Sequence, residues 1–404
     1  MSEYCPYTYK GYPAGLDDPW TFPMPSEKER DRRWEAIRRS MKKHNFDCLI
    51  VGAPWGFMPV LSNYLGYISN YIPFSNFRTY VVFPLKGEPQ LGVDTPIGPQ
   101  FLHCSSKTSW IKEIVASLYP VRNVVSKVKQ LKLEKGRLGI MGYRDGWFPA
   151  SDYNALRDSL PVATLEDASA VLAEAMNEVS RTSTEELALL KKTCEILDLS
   201  YQAVAGALRP GVKEYELWAA AEQAIINNGG WYPHFMLATS GPSPTFPRAP
   251  ASHNVLNSGD IVIFEINAIY GGISSQICYA LSLGHPRSDV EEMFQFCQEL
   301  YDFSLAELEK NSTFMDIELE LANRIHSAGY EPMTPQIHIY NQSVAMPMDC
   351  PPQPGDYFTV HPNFANKDYT AGAKFGSTVR IGKDGRVEKL QTTPAQLNII
   401  LPGK

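Results

Sequence analysis

The stretch from Gly259 to Gly284, GDIVIFEINAIYGGISSQICYALSLG, constrains the fold more than any other part of the chain. A β-branched run after Asp260 and a mixed run after Gly271-Gly272 predict two strands joined by a tight turn, a buried hairpin. Glu265 lies among apolar residues in the first run, so its carboxylate must be paired, protonated or functional. Asn267 follows two residues later and shares its strand face. Two interpretations are open: Glu265 is bonded to a loop backbone, or the hairpin carries an active site.

Composition narrows the classes of function. The chain has 404 residues, of which 44% are hydrophobic, so it can form a large core and we expect two or three domains. The net charge of −7 argues against a nucleic-acid-binding surface. There is no apolar run of about 18 residues, as a membrane span needs, and no basic start followed by an apolar core, as in a signal peptide. The seven cysteines lack CxxC spacing and are typical of free thiols, so we expect a cytoplasmic protein.

The first half of the chain alternates predicted helices and strands. Residues 1–25 are rich in Pro, Tyr and Gly, which predicts an extended arm. Residues 26–170 predict an N-terminal α/β domain with helices outside a parallel or mixed sheet. Its helices include a charged one over 26–45 with one apolar face and another over 109–118.

The second half, residues 171–404, has a different order of elements. Two long helices precede the hairpin, and two further helices precede a group of short strands near residues 336–340, 357–362 and 377–381. This order predicts a weak internal duplication within one α+β domain.

Several features of the second half occur in the order and spacing of a known family. They are TSTEELALLKKTCEIL, the Arg209-Pro210-Gly211 turn, the Ser240-Gly241-Pro242 loop, the hairpin, and the late strand beginning at Gln353-Pro354-Gly355-Asp356. Together they resemble the pita-bread domain of the creatinase, prolidase and aminopeptidase P superfamily. The first half is similar to the smaller N-terminal domain of creatinase and prolidase. The resemblance implies a curved antiparallel sheet with pseudo-two-fold duplication and helices outside, and a homodimer that shares its sites.

The same resemblance places the metal ligands of the metallopeptidase members at five positions. In this chain they are Glu265, Gln276, His338, His361 and Gly376, of which Glu265 and His338 keep a ligand type. Because a dinuclear site needs bridging carboxylates, we expect an enzyme that is not a dinuclear metallopeptidase.

The chain further resembles creatinase and ectoine hydrolase, the branch without a metal. Creatinase has a loop histidine where this chain has Arg248, and a later glutamate where it has Cys278. Ectoine hydrolase has a glutamate at the place of Glu265, which the resemblance implies attacks the substrate. Arg78 falls where creatinase has an arginine that reaches across the dimer to the substrate carboxylate.

These readings lead to one main hypothesis. We expect a C–N hydrolase of a small carboxylated amidino or amide compound, with no cofactor, in which Glu265, His338 and His361 are catalytic. The residues expected to bind the substrate are Arg78, Arg248, Gln276, Tyr340 and Asn267.

Two alternatives to the hydrolase hypothesis are open. Glu265, His338 and His361 also form a two-histidine, one-carboxylate set for a single iron or zinc ion, which would favour lyase or oxygen chemistry. A pita-bread domain without its metal ligands can instead serve as a binding module. The polar residues kept at the cavity positions favour catalysis over that module.

Overall fold

The computed structural model describes residues 7–8, 21–52, 64–71, 78–93, 106–143, 148–178, 182–231, 235–338, 340–341, 344–345 and 348–401. The chain forms two compact units, and the division along the sequence falls between Glu185 and Glu186. The predicted domain boundary at residue 170 and the predicted arm over residues 1–25 stay predictions. Each unit is described by itself.

The first unit is built on a mixed sheet. Its strands are Tyr7–Thr8 (β1), Cys48–Gly52 (β2), Thr79–Pro84 (β3), Gln90–Val93 (β4), Glu113–Ala116 (β5), Arg137–Met141 (β6) and Thr164–Asp167 (β7). They lie in the order β1-β5-β4-β3-β2-β6-β7, with parallel and antiparallel pairs. The helices are Glu27–Lys43 (α1), Tyr64–Ser69 (α2), Pro120–Gln130 (α3), Ala150–Ser159 (α4) and Ser169–Glu178 (α5).

Helix α1 confirms the predicted amphipathic helix. Trp34, Ile37 and Met41 on its apolar face are all buried in the core of the unit. The indole N–H of Trp34 also donates to the carbonyl of Ile68 at 2.7 Å. Burying each such side chain stabilises the fold by about 1.5–3 kcal/mol.

The predicted helix over residues 109–118 is wrong. Residues 113–116 form strand β5, which pairs in parallel with β4. Ile114 and Val115 are both β-branched and apolar, so they fit a covered strand. Pairing with β4 determines that these residues form a strand, and a short stretch of sequence does not show that pairing.

The second unit is built on an antiparallel sheet. The remaining strands along the chain are Met236–Gly241 (β8), Ile261–Tyr270 (β9), Ile273–Leu283 (β10), Glu331–Pro332 (β11), Ile337–His338 (β12), Tyr340–Asn341 (β13), Val344–Ala345 (β14), Tyr357–Val360 (β15), Asn363–Ala365 (β16), Gly372–Lys374 (β17), Gly376–Ile381 (β18), Val387–Lys389 (β19) and Leu397–Ile400 (β20). The main path of the sheet is β12-β15-β18-β10-β9-β8, joined by β19 and β20. The remaining helices are Thr184–Ala207 (α6), Glu214–Asn227 (α7), Ser288–Glu309 (α8) and Phe314–Ser327 (α9).

Strands β9 and β10 confirm the predicted hairpin and its Gly271-Gly272 turn. Both faces of β9 are covered: Ile261 and Ile263 belong to one hydrophobic core, and Val262 and Phe264 to another. Burial on both faces explains why the strand is apolar at successive positions. Glu265 continues the Ile261 and Ile263 face, so the fold places a carboxylate inside a core.

Among the described residues, no helix is both long and apolar enough to cross a membrane.

Candidate active site

Glu265 is the centre of a buried polar cluster. It is 1% exposed, and each of its carboxylate oxygens has a partner. Oε1 accepts from Nε2 of Gln276 at 2.8 Å, and Oε2 accepts from Nζ of Lys374 at 2.5 Å. A loop backbone is therefore not what binds this carboxylate, and the first interpretation of Glu265 is wrong. Side chains from two other strands satisfy it instead.

Gln276 links Glu265 to His338. Because its amide nitrogen donates to Glu265, its Oε1 must accept, and Nδ1 of His338 donates to it at 2.8 Å. The proton of a neutral His338 therefore lies on Nδ1, and the lone pair lies on Nε2. Burial lowers the pKa of His338 to about 4, although the charge of Glu265 acts in the opposite direction. His338 is thus neutral near pH 7.

The imidazole of His361 packs against that of His338. The two rings meet edge to face with their centroids 4.1 Å apart. His361 is fully buried, and neither Nδ1 nor Nε2 has a hydrogen-bond partner among the described residues. Burial, with the neighbouring His338 and the Lys374 charge, holds the pKa of His361 well below its ordinary value. A neutral imidazole with an unpaired buried nitrogen is a costly arrangement unless a ligand completes it.

Cys278 completes a set of three donor groups. It is the cross-strand partner of Glu265 in the hairpin and lies in the adjacent strand to Gly376. One ligand atom each from Glu265, Cys278 and His361 lies within 4.8 Å of the others, and all three residues are buried. Burial and the charge of Glu265 raise the pKa of the Cys278 thiol well above its ordinary value. A bound cation would reverse that shift, since a coordinating thiol loses its proton.

Lys374 is a member of the cluster that the sequence analysis missed. It is 1% exposed, and besides its bond to Glu265 its ammonium lies 4.7 Å from the centre of the Phe246 ring, a cation–π contact. A signal was present: Lys374 stands between Ala373 and Phe375, and a charge among apolar residues is the same signal that identified Glu265.

A network of backbone contacts fixes the two histidines. The carboxylate of Glu318 accepts from the backbone N–H groups of Gln336 and Ile337 at 3.0 and 2.7 Å, directly before His338. The carbonyl of Gln336 in turn accepts from the backbone N–H of His361 at 2.9 Å. Burial raises the pKa of Glu318 against the effect of these two bonds. Helix α9 therefore holds strand β12, which carries His338, and through Gln336 it also holds the backbone at His361.

The structure brings together Glu265, Gln276, His338 and His361, four of the five positions at which the resemblance places metal ligands. The fifth, Gly376, has neither a side chain nor room for one. A Cβ there would lie 2.0 Å from the carbonyl oxygen of Val360 and 2.6 Å from Cβ of His361. Those five positions alone do not supply the carboxylates that bridge two cations. The donor set of Glu265, Cys278 and His361 does fit one cation, since zinc accepts carboxylate, thiolate and imidazole ligands.

The other residues predicted to bind substrate have separate surroundings. Asn267 is buried, and its Oδ1 accepts from the backbone N–H of Phe235 at 2.8 Å, so it holds the start of β8. Arg248 is exposed, and its backbone pairs with that of Ala238. Tyr340 belongs to β13, and its side chain lies outside the described residues.

Arg78 belongs to the first unit. Its guanidinium bonds Asp152 at 3.0 Å, and the same carboxylate accepts from the Tyr80 hydroxyl. Arg78, together with Arg122 and Lys129, lines a cavity of about 510 Å³. Binding of a substrate carboxylate by Arg78 stays a prediction.

In the comparison with known proteins, the family model and the curated relatives that match this chain are both peptidases. Residues 188–387 match the model of metallopeptidase family M24. The chain is 26% identical over 149 residues to the Xaa-Pro dipeptidase of Pyrococcus horikoshii, a match that covers 37% of this chain and 42% of that protein. It is 31% identical over 153 residues to the "Probable dipeptidase PepE" of Mycobacterium tuberculosis, covering 36% of this chain and 41% of the relative. These matches thus span less than half the length of the curated relatives.

Solved structures extend the likeness of fold to most of the chain. The X-Pro aminopeptidase of Thermotoga maritima has a TM-score of 0.74 at 16% identity, covering 91% of this chain and 99% of that one. The prolidase of Pyrococcus horikoshii has a TM-score of 0.71 at 19% identity, covering 90% and 98%. At such identities the likeness concerns the fold, and it confirms the predicted α/β domain followed by a pita-bread domain.

The comparisons contradict three predictions: a non-peptidase C–N hydrolase, an enzyme outside the dinuclear metallopeptidase type, and the absence of a cofactor. The curated relatives carry the names of dipeptidases, and the matched family is one of metallopeptidases. The error has a physical reason. The loss of carboxylates at positions 276, 361 and 376 was interpreted as the loss of metal binding, although an imidazole and a thiolate are ligands as well.

The family match over residues 188–387 and the fold shared over most of the chain lead to one conclusion. This chain has the pita-bread fold found in prolidase and aminopeptidase P, and its residues 188–387 are similar to metallopeptidase family M24.

Proposed function

We propose that the protein is a metal-dependent hydrolase of short peptides, and that Glu265, Cys278 and His361 hold a divalent cation. The observation that carries the proposal is the buried set of three donor atoms within 4.8 Å of one another, in which both ring nitrogens of His361 have no partner among the described residues. Three protein ligands with an open position are typical of a catalytic zinc site. Thiolate ligation favours zinc or cobalt over magnesium or manganese.

When bound, such a cation polarises a carbonyl group and lowers the pKa of a water molecule. The chain's own residues orient the groups around it. Gln276 holds the Glu265 carboxylate at Oε1 and the His338 imidazole at Nδ1, so both side chains are fixed before a substrate arrives. The same bond fixes the tautomer of His338, with the proton on Nδ1. His338 is therefore proposed as a group that helps to position the substrate.

The class of substrate follows from the relatives. Their names, Xaa-Pro dipeptidase and dipeptidase, favour a short peptide with a free carboxylate. Arg248, Tyr340 and Arg78 are the residues proposed to bind that carboxylate, Arg78 from the partner in a homodimer. A cytoplasmic location and the finer placement beside creatinase and ectoine hydrolase stay predictions.

The test uses the purified protein with a panel of dipeptides. Protein stripped with a chelator and reloaded with Zn²⁺ or Co²⁺ should release amino acids from dipeptides with proline in the second position, and stripped protein should not. Cys278→Ser keeps the size of the side chain but removes the soft ligand, so it should weaken metal binding by about 10–100-fold. Reloaded protein that cleaves none of the dipeptides, or a chelated protein with full activity, would overturn the proposal.

A further inference from the structure

Lys374 gives the cluster a positive charge that the proposed metal site does not explain. Lys374 is a buried ammonium whose nearest carboxylate, Glu265, is also a member of the proposed cation site. Nothing about metal binding requires a lysine there, and a buried charge is costly unless it has a function or a well-formed partner.

The placement of Lys374 excludes a simple surface ion pair. Both charged side chains are at most 2% exposed, and the separation of Nζ and Oε2 is 2.5 Å. The Phe246 ring covers the ammonium at 4.7 Å, and among the described residues Glu265 is the one hydrogen-bond acceptor of Nζ. The ammonium therefore lies beside the three donor groups, and water screens its charge only weakly.

The charge of Lys374 extends across the whole cluster. It is one of the causes that lower the pKa of His338 and of His361, and it acts on Cys278 in the direction that favours the thiolate. A single positive charge at this place thus acts on every ligand group, as a metal ion would.

We propose that Lys374 is a built-in cation of the site: its ammonium neutralises Glu265 and competes with a divalent cation for that carboxylate, so that it weakens metal binding. The inference rests on the proposed function for the position of that cation.

The proposal predicts competition for Glu265. The ammonium and a divalent cation draw on the same carboxylate and repel each other across a few ångströms. Removing the ammonium should therefore tighten metal binding.

The experiment is a Co²⁺ titration of the stripped full-length protein, followed by calorimetry and by the charge-transfer absorption of a cobalt-bound thiolate. Lys374→Met removes the charge and keeps an apolar chain of similar length, and Lys374→Arg keeps the charge as the matched control. We expect Lys374→Met to bind Co²⁺ at least about tenfold more tightly than wild type, and Lys374→Arg to stay within about threefold of it. Equal affinity for Co²⁺ in wild type and Lys374→Met would overturn the proposal.

A folding defect is handled by a second pair of variants. If Lys374→Met does not fold, as judged by circular dichroism, Glu265→Gln is compared with Glu265→Gln/Lys374→Met, in which the buried site carries neither charge. The double variant should bind Co²⁺ more tightly than the single one, and equal affinity would overturn the proposal.

The outcomes separate this inference from the proposed function. Binding of Co²⁺ by Lys374→Met but not by wild type would support the charge of Lys374 and remove the metal-dependent function of the wild-type site. Equal binding by both would leave the proposed function standing and remove the inference about Lys374.

Discussion

Two buried ion pairs, one in each unit, differ in how completely their surroundings satisfy them. In the first unit Glu29 and Arg33 lie on successive turns of α1, 2.8 Å apart and both 2% exposed in their side chains. Arg32 adds two further hydrogen bonds to Glu29, and Arg33 donates to the carbonyl of Tyr67. In the second unit Glu265 and Lys374 are as deeply buried, yet the same cluster contains the His361 ring nitrogens, which have no hydrogen-bond partner in the part of the chain that the structure describes.

The difference separates a structural pair from a functional one. The partners of Glu29 come from its own helix, and the guanidinium of Arg33 lies over the rings of Tyr67 and Trp110. Such a closed set stabilises the packing of α1 and has no capacity left for a ligand. The pair at Glu265 comes from two strands far apart in sequence, and next to it the His361 ring nitrogens have no partner among the described residues. This is the arrangement expected of a site that binds a ligand. Burial of charge alone does not distinguish the two cases.

The largest effect is expected at Glu265. Glu265→Gln removes the carboxylate that Gln276 and Lys374 contact, so the rate of dipeptide hydrolysis should fall by about 10²–10³-fold. The matched change in the other pair, Glu29→Gln, should leave the specific activity of folded protein unchanged. Steady-state kinetics on both variants measures the contrast. Equal losses in the two variants would break the distinction between a functional and a structural pair.

The second effect concerns stability. Glu29→Gln leaves Arg33 buried without a charged partner, which should lower the free energy of unfolding by about 3–5 kcal/mol. Urea unfolding monitored by circular dichroism measures it. The control is Asp289→Asn in the exposed pair with Arg287, where no measurable change is expected. A loss at Glu29 no larger than at Asp289 would show that the pair is not structural.

The third effect concerns the close packing of Gly376 against the backbone beside the site, and the substitution changes no charge. Gly376→Ala places a Cβ against the backbone of Val360 and His361, so β15 and β18 must separate and the free energy of unfolding should fall by about 1–3 kcal/mol. Co²⁺ binding should weaken with it because His361 moves. Gly206→Ala in α6, where no atom lies within 4 Å of the new Cβ, should instead stabilise by about 0.5–1 kcal/mol. Similar melting temperatures for the two variants would contradict this account.

The smallest effect is a pH dependence. Burial raises the pKa of Glu29, but the hydrogen bond from Arg32 and the charge of Arg33 outweigh it and hold that pKa below its ordinary value. A lowered pKa in the folded state means that the pair stabilises fully above the unfolded value of about 4.5 and is lost as the pH falls through the folded value. The difference in stability between wild type and Glu29→Gln should therefore shrink below about pH 4.5. A difference that grows on acidification would have the wrong sign.

The sequence predicts one part of the site well and another part not at all. The hairpin follows from its β-branched run and its two glycines, and a two-residue turn pairs Glu265 with Cys278, so the thiol could have been identified as a neighbour. Lys374 could not be assigned to Glu265, because 109 residues separate them and strand β17 is short. The strand at residues 113–116 was missed for a related reason: its partner β4 decides its conformation, and a local apolar pattern fits a helix as well.

The central claim is that Glu265, Cys278 and His361 hold a cation. The most direct test is the metal content of the full-length protein by elemental mass spectrometry, after loading with Zn²⁺ and removal of the excess, with His361→Ala measured in parallel. We predict about one zinc per chain in wild type and a loss of most of it in the variant. Wild-type protein without stoichiometric metal, or a His361→Ala protein that retains all of it, would contradict the claim.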